Sequence, residues 1–281
     1  MKCDIHLDFQ GVKTMDIQSA IKYGLMVKEA ERVGDDGDPT SYNPPAGYTF
    51  IQAFFANDLK TDISPDGRDY VPFGFVARSP APASEFVVAI RGTDNIWEWI
   101  QDASFGKIPC PILTGSGDTE DGFTNLYSTL RIGPTDGSPT LINYLGGLVG
   151  GTGNATVTVC GHSLGSAIAT LLALDLAGNQ NISPLVFTFA SPNVGDSLFA
   201  ATYNRLVPNT TRIVDGPDIV PQLPPSFLIG YEPVGVTFGL TPGQNVNPGI
   251  LCYHHLTTYL YLLGLIAGGA AMPLDPECQP Q

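Results

Sequence analysis

The residues best placed to do covalent chemistry in this chain are Gly161-His162-Ser163-Leu164-Gly165. A serine hydroxyl is a weak nucleophile until a base removes its proton and a further group orients that base. Here the serine follows the β-branched run ATVTVCG and opens the apolar run SLGSAIATLLALDLAG, which reads as a buried helix closed by Gly178. A strand turning sharply into a helix at this point holds Ser163 in a strained conformation, with its hydroxyl standing above the sheet. The flanking glycines relieve crowding at the turn. The hydroxyl then also sits at a helix N-terminus, where free N–H groups favour developing negative charge and the amide of Leu164 can face an oxyanion.

Two histidines follow Ser163, the adjacent pair His254 and His255. His6 precedes it, and His162 neighbours it with a side chain directed elsewhere, so a packed or hydrogen-bonded role suits both. Among the acids Asp218 stands out. The segment DGPDIVPQLPP places it in a proline-rich loop after the strand-like TRIVD, at the edge of the sheet where hydrolases using the chain order Ser, Asp, His keep their acid. Asp196 and Asp215 are its rivals and read as solvated loop caps.

These groups need a scaffold. Apolar positions at helical spacing predict an N-terminal helix over Asp16 to Val33, stopped by DDGDP. TFIQAFFAND, VPFGFVARS and EFVVAIRG are β-prone runs bounded by turn residues, and PLVFTFASP supplies another strand after the central helix. Strands alternating with helices predict a mainly parallel α/β sheet. Neither an internal repeat nor a linker of changed composition divides residues 1–281, which predicts a single domain. Leu256 to Met272 carries no charge, but it is short of the ~20 residues that span a bilayer. It is expected to be a buried C-terminal helix, so no transmembrane segment is predicted.

Composition narrows the partners. Lys and Arg number 13 against 27 Asp and Glu, giving a net charge of −14, with charged residues at only 14%. Without basic clusters the chain cannot neutralise phosphates, which excludes nucleic acid and disfavours anionic head groups. The start MKCDIHLDFQ has no apolar run, so no secretory signal is read and the chain is expected to be either cytosolic or the mature form of a secreted protein. Five cysteines are an odd count with no C-x-x-C spacing, so no metal site is expected. One staple, Cys3 to Cys278, is compatible with that count.

Four blocks in order, IRGTDNIWEWIQD, VTVCGHSLGSAIATLLALDL, FTFASPNVGD and RIVDGPDIVPQLPP, followed by the histidine segment, resemble the class 3 lipases, the fungal-type triacylglycerol lipase family with an α/β-hydrolase fold. The resemblance implies Asp218 as the acid that orients the histidine. The family histidine precedes a tyrosine by five positions, and Tyr259 selects His254; a competing cue, an aromatic two positions earlier, selects His255 after Tyr253. His254 is the expected base. The resemblance also implies Thr93, after Arg91-Gly92, as the second oxyanion donor beside Leu164, with Asp102 holding it. It places a lid over Asn95 to Asp102, where Ile96, Trp97, Trp99 and Ile100 would form one apolar side of a short helix, unlike the more polar flap of feruloyl esterases. One departure is Asp121 before Gly122-Phe123, where family members often have histidine.

The function so implied is a serine carboxylester hydrolase, expected to be a triacylglycerol lipase working through an acyl-enzyme, with no cofactor and no metal. Its partner would be a lipid or other ester substrate at a lipid–water interface. The rivals are a short-chain or feruloyl-type esterase on the same fold and a non-catalytic lipid-binding protein.

Overall fold

A computed structural model of the protein describes residues 15–34, 37–57, 70–80, 85–93, 105–151, 155–241, 245–269 and 272–280. Helix α1 runs over Ile17–Val33. The side chain of Asp16 accepts from the Ser19 amide at 3.2 Å and caps its first turn. Its buried stripe, Ala20, Tyr23, Val27 and Ala30, recurs every three or four residues and turns inward.

Strands β1 (Thr49–Ala56), β2 (Val71–Arg78) and β3 (Glu85–Ile90) follow as an antiparallel meander. Two short strands, β4 (Lys107–Pro109) and β5 (Asp118–Glu120), belong to a separate small sheet and lead into helices α2 (Asp121–Ser128) and α3 (Leu141–Gly150). Strand β6 (Thr156–His162) then enters the middle of the main sheet and passes into helix α4 (Leu164–Asn179), one residue longer than the Gly178 stop predicted. After β7 (Leu185–Phe189) come β8 (Gly195–Asp196), α5 (Ser197–Leu206), β9 (Thr210–Asp215), α6 (Ser226–Ile229), β10 (Tyr231–Glu232) and β11 (Val236–Leu240). Helices α7 (Ile250–His254) and α8 (Leu256–Ile266) close the order.

Among the described residues the main sheet has seven strands in the order β1-β2-β3-β6-β7-β9-β11, and every pairing from β3 onward is parallel. This is the mainly parallel α/β arrangement that the strand–helix alternation predicts. Side chains alternate between its faces. Ala53, Phe55, Phe75 and Val87 pack toward α1 and α8 on one side. Phe54, Val76, Phe86 and Val88 pack toward α3 and α4 on the other. Helix α4 lies between two apolar surfaces, which is why Ala167 to Leu174 are buried without a polar face. At the N-terminal edge of β3 and β6, the carboxylate of Glu85 accepts from Tyr23, from Tyr48 at 2.5 Å and from Thr158 at 2.7 Å, tying α1 to the sheet. Burial raises the pKa of Glu85, but these hydroxyls outweigh it and the net shift is downward.

The C-terminal helix ends at Ile266, short of the predicted Met272, and among the described residues no helix is long and apolar enough to cross a membrane. Cysteine pairing departs from expectation. Cys278 is bonded to Cys252, 26 positions away, in place of a staple to Cys3, while Cys110 and Cys160 are free and buried. The short segment after α8 doubles back against α7, and the Asn247 amide donates to the Cys278 carbonyl at 2.9 Å, bringing those two sulfurs together.

Candidate functional site

Parallel strands put their C-terminal ends on one edge, and there the sheet delivers reactive side chains. Ser163 emerges from β6 with φ 54° and ψ −126°, outside the ordinary regions for a non-glycine residue. Its amide donates to the Phe189 carbonyl of β7 at 2.9 Å. The glycines on either side are required by close approach. A Cβ at Gly161 would lie 2.3 Å from the Gly165 oxygen, and one at Gly165 would lie 2.3 Å from the Arg91 oxygen. Ser166, fully buried, braces the turn by donating to the Gly161 carbonyl at 2.6 Å and lying 2.9 Å from the Phe189 carbonyl.

The other two groups come from distant segments. His254, the last residue of α7, has its Nε2 2.9 Å from Ser163 Oγ and its Nδ1 2.9 Å from Asp218 Oδ2. Asp218 follows β9 by three residues and is held on both oxygens. The Val220 amide donates to Oδ1 at 3.0 Å and the Tyr259 hydroxyl to Oδ2 at 2.7 Å. All three members are buried, with exposures of 1% for Ser163, 5% for His254 and 0% for Asp218. Burial pushes the His254 pKa down; the hydrogen bond to Asp218 opposes this, and the neighbouring His162 adds to it, for a net downward shift. The imidazole is therefore available as a base, and the order hydroxyl, imidazole, carboxylate is the one that activates a serine.

The competing assignments separate clearly. His255 lies on the surface, its Nδ1 3.0 Å from Thr257 Oγ1 and its Nε2 3.7 Å from Asp275. Asp196 caps α5, accepting from the Phe199 amide at 2.8 Å. Asp215 is not a solvated cap as its sequence setting suggests. It is fully buried at the end of β9, and neither carboxyl oxygen has a hydrogen-bond partner among the described residues. Burial, and then the nearby charge of Asp218, push its pKa up to about 7.

Around the serine, Ile90 of β3 pairs with Gly161 of β6, so the chain leaving β3 runs beside the turn. A Cβ at Gly92 would lie 3.4 Å from Ser163 Cβ, and Thr93 is the next residue. Leu164 is the first residue of α4, where the amide has no intrahelical acceptor. Asp102 and the expected lid residues Ile96, Trp97, Trp99 and Ile100 lie outside the described residues. Asp121 opens α2, where Glu120 caps the helix by accepting from the Phe123 amide at 2.6 Å.

Sequence reasoning used Tyr259 only as a marker for the histidine. The structure gives it a position of its own, donating to Asp218 and accepting from the Asp215 amide at 3.1 Å. Glu31 lies 2.9 Å from His162, and nothing local to α1 in the sequence signals that its last turn reaches the serine strand.

A family model described as Lipase (class 3) matches residues 87–228, about half of the chain. Phospholipase A1-IIgamma of Arabidopsis thaliana is 30% identical over 202 residues, covering 63% of this chain and 48% of its own. The secreted mono- and diacylglycerol lipase A of Penicillium cyclopium is 33% identical over 164 residues, covering 58% and 50%. The chain thus spans about half the length of these relatives. Among solved structures, the lipase from Rhizopus microsporus var. chinensis superposes with a TM-score of 0.65 at 21% identity, covering 88% of this chain and 87% of that one. A mutant form of MDLA from Penicillium cyclopium gives 0.62 at 25% identity, with 84% of each chain covered. Sheet order, serine turn and these superpositions define an α/β-hydrolase fold. Within it, the chain belongs to the class 3 lipase family.

Proposed function

We propose that the protein is a serine carboxylester hydrolase acting on lipid esters, with triacylglycerols as its substrate class. The observation that carries this reading is the continuous hydrogen-bonded series Ser163–His254–Asp218 on a strained serine at a helix N-terminus. In the proposed reaction Ser163 Oγ attacks the ester carbonyl as His254 Nε2 takes its proton. Asp218 stabilises the imidazolium that forms. The amides of Thr93 and Leu164 hold the oxyanion, each such donor contributing about 3 kcal/mol of barrier reduction, and Asp102 holds Thr93. Collapse of the tetrahedral intermediate releases the alcohol, protonated by His254, and leaves Ser163 acylated. Water, deprotonated by His254, then repeats the attack and frees the acid.

Ser163 is only 1% exposed, so an ester needs room made beside it. This supports a lid formed by the segment carrying Ile96, Trp97, Trp99 and Ile100, rolled aside at a lipid surface. The Cys252–Cys278 disulfide, together with relatives described as secreted, supports an oxidising, extracytoplasmic compartment.

The test compares hydrolysis of an emulsified long-chain triacylglycerol with that of a dissolved short-chain p-nitrophenyl ester, with Ser163→Ala as the blank. A triacylglycerol lipase hydrolyses the emulsion and gains rate sharply once an interface forms. Activity confined to the dissolved ester makes the protein a short-chain esterase. A Ser163→Ala variant as active as wild type removes the serine mechanism, and no activity on either substrate leaves a lipid-binding protein.

A further inference from the structure

The mechanism leaves one buried ionisable side chain beside the site unused. His162 ends β6, is 7% exposed and directly precedes Ser163. Both of its ring nitrogens meet acceptors. Nδ1 lies 2.9 Å from Glu31 Oε1, in the last turn of α1, and Nε2 lies 2.8 Å from the backbone carbonyl oxygen of His254. A neutral imidazole carries one N–H and must aim a lone pair at its other partner. A carboxylate and a carbonyl oxygen can both be satisfied only by an imidazolium, which has two donors.

We propose that His162 is an imidazolium throughout the working pH range, clamped between Glu31 and the main chain of His254, and that this pair positions the general base and keeps it deprotonated in mildly acidic solution. The inference rests on the reading of His254 as that base. The two rings are 4.9 Å apart, tilted by 36°, so a charge on one acts directly on the other. The negative charge of Glu31 also reaches His254 and raises its pKa, but by less than the charge on His162 lowers it. The other groups facing this pair come from the remaining packed elements. Asp218 follows β9, Asp215 ends it, Tyr259 comes from α8 with its ring 6.2 Å from that of His162, and Arg212 of β9 lies near Asp218 and Tyr259. Burial pushes the His162 pKa down, but the charge and hydrogen bond of Glu31, with the His254 carbonyl, outweigh it and hold it above the ordinary histidine value.

The sign follows from the chemistry. His254 must be neutral to accept the Ser163 proton, and an adjacent cation penalises its protonated form, so activity extends to lower pH. Glu31→Gln is the informative substitution. The glutamine amide can donate to Nδ1 while a neutral His162 donates from Nε2 to the His254 oxygen, so both contacts survive and the charge is lost.

The experiment has two readouts on the whole chain of residues 1–281. The first is kcat/KM for a dissolved p-nitrophenyl ester across mildly acidic to alkaline pH, for wild type and Glu31→Gln. The acid limb is expected to move up by about one pH unit in the variant, so that activity falls several-fold more at acidic than at alkaline pH. A purely structural loss would lower the whole profile without moving the limb. The second is 15N NMR of labelled histidine in wild type and His162→Gln, the latter assigning the signal; both His162 nitrogens are expected to be protonated near neutral pH. An unmoved acid limb, or a His162 ring with one unprotonated nitrogen at neutral pH, overturns the proposal. Should Ser163→Ala be as active as wild type, the catalytic reading fails instead, and the NMR measurement still decides the charge on His162.

Discussion

Ser163 and His254 come within 2.9 Å of each other from segments built in opposite ways. The serine turn is largely local, backed by β7 at Phe189 and by the end of β3. A strand in the middle of the sheet, two glycines that allow backbone to approach backbone, and the hydroxyl of Ser166 three residues further on hold it. The histidine segment has little structure of its own. Helix α7 is five residues long and has no side-chain cap, far below the length at which a helix is stable alone. It is held from outside, by the Cys252–Cys278 bond, by Thr258 donating to the Cys252 carbonyl at 2.6 Å, and by His162 on the His254 carbonyl. Ser163 is thus placed largely by its neighbours in sequence, with the strands beside β6, and His254 by its neighbours in space.

That contrast can be broken at its centre or at either support. The largest effect is expected at the base itself. His254→Ala should reduce ester hydrolysis by about four orders of magnitude or more, while His255→Ala, which alters only the contacts to Thr257 and Asp275, should stay within about threefold, as in surface substitutions generally. Steady-state rates on a dissolved ester check this, and the reverse ranking would move the base to His255. On the serine side, Gly165→Ala drives a Cβ against the Arg91 and Ile90 carbonyls at 2.3 and 2.6 Å. It should cost about 3 kcal/mol or more in denaturant unfolding, because backbone cannot move aside as a side chain can. On the histidine side, replacing both Cys252 and Cys278 by serine should cost about 2 to 3 kcal/mol. It should also slow fluorophosphonate labelling of Ser163 under conditions where the protein remains folded, since the segment carrying the base loses its anchor. Unchanged labelling in a folded double variant would mean that the hydrogen bonds alone position His254.

Legibility followed the same division. The serine turn, the alternation of strands and helices and the α/β class were readable because period-two and helical patterns and a glycine-bounded turn are written within a few residues of each other. Asp218 could be singled out among the acids, but the burial of its neighbour Asp215 was not readable. Asp215 and Asp218 lie three residues apart in one polar, proline-rich stretch. One ends with both oxygens hydrogen-bonded and touching the imidazole, and the other with neither oxygen bonded among the described residues and its pKa raised to about 7. The difference is made by Tyr259, 41 positions further along, whose phenol donates to Asp218 and accepts from the Asp215 amide. In the same way no local signal pairs Cys278 with Cys252, since the chain's return against α7 depends on where α8 ends.

By itself, then, the sequence determined the strained serine, the turn that presents it and the kind of sheet behind it, because those depend on backbone conformations that neighbouring residues impose. The sequence pattern pointed to His254 and Asp218, but the contacts themselves, Asp218 on His254, His254 on Ser163 and Glu31 on His162, are made only by tertiary structure. These contacts join residues 36, 91 and 131 positions apart. Their geometry comes from packing α1, α7, α8 and the loop after β9 against one edge of the sheet, an arrangement held by buried area and hydrogen bonds that no short stretch of chain contains.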